Sequence, residues 1–420
     1  MRIVIVGAGA AGLIAAAEAA LRGAEVTLLE KNSKAGVKIL MSGGTRCNIT
    51  QHTDARGILE GFGRNGRFLG PSVGSFPPAD VVEMFRRLGV PTKVEPTGKV
   101  FPTSDRAVHV RDALQRQAVA AGAAIRLRSG VGAIGRDDDR WLVHAGHTTL
   151  VADRLIVTAG GRSWPGCGTT GDAYPWLAGL GHTLVRPRPA LVPLLGGEAW
   201  MRELSGISLP DVVAEVRQVS PADGRRGPGR TKSRQPLLRR RGPWLFTHFG
   251  FSGPTPMDIS GTLTAAGSMA EREVRLDLLP GRPAEEIGQA LADRGRDGGR
   301  GPVTATLARW FPQRFAEGLA RSVEAECRLA ELSAGRRQQL IERIKRMPIE
   351  VTGTRGFEKA EVTAGGVALA EIDPRTMESR LHPGLYIAGE VLDLDGRIGG
   401  YNFQAAFSTG RAAGIAASTP

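Results

Sequence analysis

Six residues near the amino terminus, Gly7-Ala8-Gly9-Ala10-Ala11-Gly12, place three glycines at the offsets a bound diphosphate requires. Gly7 permits a tight turn, Gly9 removes the side chain that would block the pyrophosphate, and Gly12 lets a helix pack closely on a strand. The amides around Ala10 and Ala11 then open a helix, where unpaired N–H groups and the helix dipole attract anions. Glu30 lies 18 residues beyond Gly12. There a carboxylate accepts hydrogen bonds from a ribose diol and disfavours a 2′-phosphate, with Lys31 beside it. The implied ligand is a dinucleotide.

These residues need particular elements to hold them. Arg2–Val6 is a short run rich in Ile and Val, the pattern of a buried strand. An alanine-rich helical segment follows to about Leu21, Gly23 closes it, and a second apolar strand ends at Glu30. Another buried strand, DRLIVTAGG, ends in the glycine pair Gly160-Gly161, a pattern that suits a strand returning beside the nucleotide, with Ala159 and Gly160 expected at the cofactor. The carboxyl-terminal region repeats the arrangement. GLYIAGE ends in Gly389-Glu390, an acidic loop carries Asp393 and Asp395, and Gly399-Gly400 precede a helix from Asn402 to about Ala417. A second helix amino terminus against the cofactor suits a flavin, whose reduced pyrimidine end carries negative charge. An ordinary nicotinamide enzyme has no need of it.

Composition narrows the class. The 420 residues suggest two or three domains, and the apolar and charged fractions are those of an ordinary globular chain. Three cysteines with no C-x-x-C pair exclude a disulfide scaffold, a thiolate zinc or iron–sulfur site and a paired dithiol. No ligand cluster for a metal is present. Only eight of the 55 basic residues are lysine, so the net charge of +13 carries an arginine bias of the kind GC-rich coding produces. The glycines that break the first apolar run argue against a signal peptide, no stretch is long enough for a transmembrane helix, and the expected location is cytoplasmic.

Further segments carry a resemblance: KILMSGGTRCNIT (38–50), LIVTAGGRSWPGCGTTGDAYPWL (155–177), LFTHFGFSGP (245–254), TAGGV (363–367) and TMESRLHPGLYIAGEVLDLDGRIGGYNFQAAFSTGRAAG (376–414). With GAGAAG (7–12) they span nearly the whole chain. The chain resembles the FAD-binding flavoprotein family that includes aminoacetone oxidase-like, BaiN-like and YhiN-like proteins. The resemblance implies an α/β fold: a discontinuous doubly wound, Rossmann-like FAD domain from residues 1–190 and 348–420. Into it are inserted a small β-rich substrate-side domain, 191–282, and a helical subdomain, 283–347. Independently, short apolar pieces separated by Gly and Pro between 191 and 280 suggest a small sheet, and helical spacing with basic outer faces runs from 283 to 347.

The resemblance places residues 38–50 along the flavin, with Lys38, Ser42, Gly43, Arg46, Cys47 and Asn48 at motif positions. Chemically, Ser42, Gly43, Gly44 and Thr45 offer amides and hydroxyls to phosphate or to the ring edge, and Arg46 offers a rigid fork of donors. Cys47 is either a proton donor or nucleophile beside the flavin or a small buried hydrophobe; its thiolate fraction decides. His248 is either a proton-transfer group on the substrate side or a structural histidine. Glu390 and Asp393 are expected on ribityl and ribose hydroxyls. Gly399, Gly400, Tyr401, Asn402 and Phe403 are expected at the pyrimidine end, with Tyr401 able to stack on the ring.

Residues 221–241 carry eight basic groups, Arg225, Arg226, Arg230, Lys232, Arg234, Arg239, Arg240 and Arg241, against the single acid Asp223. Their Gly and Pro content reads as a flexible loop, either a binding surface for an RNA backbone or a solvated charge run. The resemblance offers three activities: ribosomal RNA dihydrouridine synthesis, aminoacetone oxidation and reduction of bile-acid double bonds. The expected activity is FAD-dependent hydride exchange, an NAD(P)H-driven C=C reduction on ribosomal RNA, NAD(P)H being a transient donor. The alternatives are a small-molecule amine oxidase or ene reductase, and a non-enzymatic flavin-binding redox sensor.

Overall fold

A computed structural model describes residues 1–219, 235–293 and 298–419. Arg225, Arg226, Arg230, Lys232 and Arg234 lie outside the described residues. The chain divides into two compact units, Met1–Pro189 with Phe357–Pro420, and Ala190–Gly356.

The first unit is organised by a five-stranded parallel sheet of β1 (Arg2–Val6), β2 (Glu25–Leu29), β3 (Ala124–Arg126), β4 (Arg154–Val157) and β5 (Leu385–Ile387). Their spatial order is β5-β4-β1-β2-β3. This is the order of half a doubly wound nucleotide-binding fold, with β1 at the centre. A central parallel strand is covered on both faces, so it reads as continuous apolar sequence; Ile3, Ile5, Leu28, Ile156 and Ile387 are buried accordingly. Although β5 comes from the far end of the chain, it joins this sheet in register, Leu155 opposite Leu385.

Small residues let two helices cross closely behind the sheet. Helix α1 (Ala10–Leu21) and the carboxyl-terminal helix α2 (Tyr401–Ala417) make this contact. A Cβ on Gly410 would lie 2.3 Å from the Ala11 carbonyl oxygen, and one on Gly414 2.5 Å from that of Ala15. An antiparallel three-stranded sheet, Val131–Asp137, Arg140–Ala145 and Thr148–Ala152, precedes β4 and was not foreseen from the sequence.

The second unit has its own core, built on a seven-stranded sheet. Helices Ala284–Ala292, Gln313–Arg321 and Ala334–Arg346 bury Ile287, Phe315, Leu340 and Ile344 in the same core as Trp244, Phe246 and Phe251 of the strands. Sheet and helices thus form one unit. Strands Met347–Ile349 and Val351–Thr354 belong to this sheet, so residues 348–356 fall here, not in the second half of the nucleotide domain. The expected loop over 221–241 is corrected at its end. Leu238–Thr247 is a strand paired with Ser208–Gln218, so Arg239, Arg240 and Arg241 lie on a sheet.

Candidate functional site

At the carboxyl end of β1 the chain turns through Gly7, whose φ of +99° is open to glycine. A Cβ there would lie 2.6 Å from the Thr158 carbonyl oxygen, and one on Gly12 would lie 1.9 Å from that of Gly7. Thr158 Oγ1 closes the junction by donating to the Val6 and Gly7 carbonyls. Gly9 differs, since a Cβ there would meet nothing within 4 Å. Two of the glycines are thus required by packing, and the third leaves open space above the start of α1. That helix has no side-chain cap, so the first-turn amides following Gly9, those of Ala10 and Ala11 among them, are open to water or a ligand.

Glu30 is buried, and its carboxylate accepts from the amides of Ala8 (3.0 Å) and Asn32 (2.9 Å). Each oxygen keeps a second lone pair for a sugar hydroxyl. Lys31 turns to the loop after β4, donating to Thr170 Oγ1 (2.6 Å) and Asp172 (2.5 Å). Asn32 Nδ2 donates to the Cys167 carbonyl of the same loop. Asn32, Thr170 and Asp172 are positioning residues missed in the sequence, although GCGTTGD marked the loop that holds the last two. Gly160 (φ +75°) keeps the loop close: a Cβ there would lie 2.7 Å from Thr169. Ala159 directly precedes it, its Cα 2.9 Å from where a Gly7 Cβ would stand.

The segment after the short helix Val37–Met41 is conformationally unusual. Gly43, Gly44, Thr45 and Cys47 all have positive φ, between +56° and +68°. Thr45 and Cys47 adopt it without being glycine, the kind of strain that collects at functional sites. Gly44 meets open space. Much of the polar equipment here is nevertheless committed to the protein. Ser42 Oγ donates to the Ile39 carbonyl. Arg46 donates to Glu95 (2.7 Å) and lies 4.0 Å from the centre of the Phe101 ring, with Asp105 at 3.5 Å. The Asn48 amide, oriented to satisfy its neighbours, donates to the Thr50 and Val100 carbonyls and accepts from the Gly400 amide. Asn48 therefore fixes the turn before α2.

Cys47 is fully buried. Burial pushes its thiol up to about 12, with Ser42 opposing only in part. Its side chain has no exposed surface, and a thiol so raised supplies almost no thiolate. Full burial and a raised thiol are features of the small buried hydrophobe and speak against a nucleophile.

At the carboxyl-terminal junction, Gly389 donates to Thr409 Oγ1 (3.1 Å). Glu390 Oε1 accepts from Ser163 Oγ (2.6 Å) and the Thr363 amide (2.9 Å), while Oε2 accepts from Lys38 Nζ (2.5 Å). Lys38 also donates to Ser163 Oγ. Only Oε2 keeps a lone pair for a sugar hydroxyl. Asp393 presents its carbonyl to Asn65. Gly399 and Gly400 have φ of +126° and +93°, and Gly400 opens α2 without a side-chain cap. Tyr401 packs its ring where a Cβ of Gly61 would stand. Asn402 clasps Gly396, accepting from its amide and donating to its carbonyl. Phe403 stacks on Phe407, 5.8 Å between ring centres.

His248 belongs to the second unit. It is exposed on the turn between Leu238–Thr247 and Gly250–Ser252, with its ring edge against Phe249.

The two uncapped helix starts, the open face at Gly9 and the spare lone pairs of Glu30 fit a dinucleotide whose far end carries a flavin. Fold and site define a Rossmann-fold, FAD-dependent oxidoreductase. Residues 1–416 match the family described as HI0933-like protein Rossmann domain, and the chain belongs to that family. It is 31 % identical to the ribosomal RNA dihydrouridine synthase of Escherichia coli K12, over 97 % of this chain and 95 % of that protein. It is equally 31 % identical to the 3-dehydro-bile acid delta(4,6)-reductase of Clostridium scindens, over 99 % of each. Among solved structures, the open conformation of a flavocytochrome c3 fumarate reductase shares the fold, with a TM-score of 0.51 at 18 % identity, over 99 % of this chain and 78 % of that one. No described helix is long and apolar enough to cross a membrane, and no described group of acids, histidines and cysteines could hold a metal ion.

Proposed function

We propose that this chain is an NAD(P)H-driven reductase of a carbon–carbon double bond whose substrate is a uridine of ribosomal RNA. The observation that carries this reading is the likeness to the dihydrouridine synthase along 97 % of the chain. The bile-acid reductase matches as well, and both names denote chemistry that ends with a saturated carbon–carbon bond. FAD, when bound, supplies hydride exchange at its N5 position.

The chain's own groups have distinct tasks in this reading. Gly7, Gly9, Ala10, Ala11 and Gly12 receive the diphosphate, and Glu30 the adenosine ribose. The first-turn amides of α2, reached through Gly399 and Gly400, stabilise negative charge at the pyrimidine end. Lys38, Ser163, Thr363 and Glu390 tie together the segments that line the cofactor, while Asn48 and Asn402 hold the turn before α2. Arg46 is a donor toward a substrate carbonyl. NAD(P)H has no second glycine motif and acts as a transient donor.

The test is anaerobic. NADPH or NADH is added to the purified protein, loss of flavin absorbance near about 450 nm is followed, and unmodified ribosomal RNA is then supplied. Reoxidation by RNA with loss of a uridine double bond is the expected result. Reoxidation by oxygen alone would overturn the RNA substrate.

A second reading, a small-molecule ene reductase or an aminoacetone oxidase-like amine oxidase, has a specific observation in its favour. In the described part of the basic segment, Arg241 forms two hydrogen bonds with Asp211, and Arg239 lies 3.7 Å from Glu215. Charge so neutralised attracts a phosphate backbone weakly.

A further inference from the structure

Two short segments of the first unit, residues 162–164 and the 3-10 turn Phe357–Lys359, exchange cations. The Arg162 guanidinium lies 4.8 Å from the centre of the Phe357 ring, and Lys359 Nζ lies 5.4 Å from that of Trp164. Each segment supplies the cation for the other's ring. The Trp164 amide donates to the Phe357 carbonyl (3.0 Å) and locks the two together.

Trp164 holds a left-handed backbone, φ +54° and ψ +62°. A bulky residue adopts it only where its surroundings enforce it. Here Thr169 Oγ1 donates to the carbonyls of Ser163 (2.6 Å) and Trp164 (3.1 Å). The Arg162 and Ser163 amides in turn donate to Thr363 Oγ1, at 2.7 and 3.0 Å. A surface fixed in this way loses little freedom when a ligand docks on it.

Both cations are exposed, and the rings behind them are half-buried. Elsewhere Arg46, Arg136, Arg282 and Arg411 also lie over rings, and each of them meets a carboxylate within 4 Å. No described carboxylate comes that close to Arg162 or Lys359. The same holds of Arg355 over Phe249 in the second unit, a single pair, whereas Arg162 and Lys359 belong to a double one. Their charge is free to meet an anion from outside the chain.

We propose that this double pair is a docking platform for single-stranded RNA. A base next to the target uridine stacks on the guanidinium plane of Arg162, which the Phe357 ring backs, and Lys359 meets the phosphate beside it. Unstacked bases are held in this way on arginine and aromatic planes, with cations along the backbone. The inference rests on the RNA reading proposed above. Ser163, between Arg162 and Trp164, donates to Glu390 (2.6 Å) and accepts from Lys38 (2.6 Å), so the platform is continuous with the groups proposed to line the cofactor.

The test is binding of a fluorescein-labelled single-stranded oligouridylate to the FAD-loaded full chain, read by fluorescence anisotropy. Arg162→Lys keeps the charge and removes the plane, so affinity should fall about fivefold or more while the slope of log affinity against log salt is kept. Lys359→Gln should lower that slope by about 0.7, the share of one phosphate on a single strand. Arg56→Gln, at an exposed arginine paired with Glu60, should change neither. Ultraviolet cross-linking of a 4-thiouridine oligonucleotide to the unaltered protein needs no variant, and should label peptides holding residues 162–164 or 357–359. Excess NADP+ should leave the oligonucleotide bound; its displacement would give the platform to the nicotinamide donor and overturn the proposal. Failure of the wild type to bind, cross-links only elsewhere, or variants that bind as the wild type does would overturn the platform alone, since reoxidation by ribosomal RNA judges the reductase reading separately. Reoxidation of the reduced wild type by oxygen alone would overturn the RNA reading and the platform with it.

Discussion

Lys38 and Glu390, 352 residues apart in the chain, meet at 2.5 Å and share Ser163 as a common partner. The pair joins the segment after β2 to the end of β5, the two regions proposed above to line the cofactor. Both side chains keep a fifth to a quarter of their surface exposed, so screening is incomplete and the pair is worth more than a surface salt bridge. Lys38→Met leaves Glu390 with a partly buried charge and should cost about 1–3 kcal/mol. The double variant Lys38→Met/Glu390→Gln should recover part of that loss. A coupling energy below about 0.5 kcal/mol in urea denaturation would place the two residues outside one energetic unit.

Cys47 should be inert. With its thiol raised to about 12 and no exposed surface, it should resist maleimide at pH 8 for as long as the protein stays folded, and become reactive in denaturant. Cys47→Ala should keep flavin reduction by NAD(P)H. Rapid modification of Cys47 in native protein, with loss of turnover, would restore the nucleophile reading.

The difference between what the sequence showed and what it hid has a physical cause. The Gly7–Gly12 motif was legible because each glycine answers a local constraint: a positive φ, a close carbonyl, or space for a ligand. Buried parallel strands were legible for the same reason, since continuous apolar runs leave few alternatives. Leu238–Thr247 was hidden because Leu238 is followed by three arginines, which suit a strand only when a neighbouring strand supplies Asp211 and Glu215 as partners. Strands Met347–Ile349 and Val351–Thr354 were hidden because their partners lie far away in the chain and Pro348 reads as a helix end. The commitments of Asn48, Asn402 and Glu390 were illegible as well. Motif positions name residue types, and only the fold shows whether an amide or carboxylate faces the ligand or the protein.

His182 offers a pH test in the first unit. It is buried, its Nδ1 lies 2.9 Å from Glu371 and its Nε2 3.0 Å from Ser379 Oγ. Burial lowers its affinity for a proton, Glu371 opposes that, and His382 reinforces it. A histidine whose folded pKa is lowered contributes stability that is present above about pH 6.5 and lost as pH falls below it. Replacing His182 by Gln should therefore flatten the decline in thermal stability between pH 7 and 5. An unchanged slope would show that other groups set the acid limit.

The basic segment makes a separable prediction for RNA binding. Arg225, Arg226, Arg230, Lys232 and Arg234 changed together to Ser should reduce the slope of log affinity against log salt by up to about 4, if each contacts a phosphate. Arg241→Ala should leave that slope nearly unchanged, because its guanidinium holds Asp211 well below the usual carboxylate range and is already engaged. Equal effects from both changes would mean that Arg241 releases Asp211 to meet RNA.

Asp395 allows the sign of a stability change to be checked without any substrate. Its folded pKa of about 6 lies above the ordinary 3.8, so the folded chain binds this proton more tightly than the unfolded chain. The associated stability is fully present below the unfolded value and is lost as pH rises through about 6. Asn, which stays neutral, should therefore stabilise the protein relative to Asp at pH 8, by at most about 3 kcal/mol, with the gain shrinking toward zero near pH 4. Arg64 and Arg188 face the same carboxylate and Asp393 opposes it, so Arg188→Met should raise the midpoint further and widen the gap between the native chain and Asp395→Asn. Denaturation midpoints at pH 4, 6 and 8 for these variants decide the matter. A destabilised Asp395→Asn at pH 8 would show that the carboxylate is held as an anion by the two arginines.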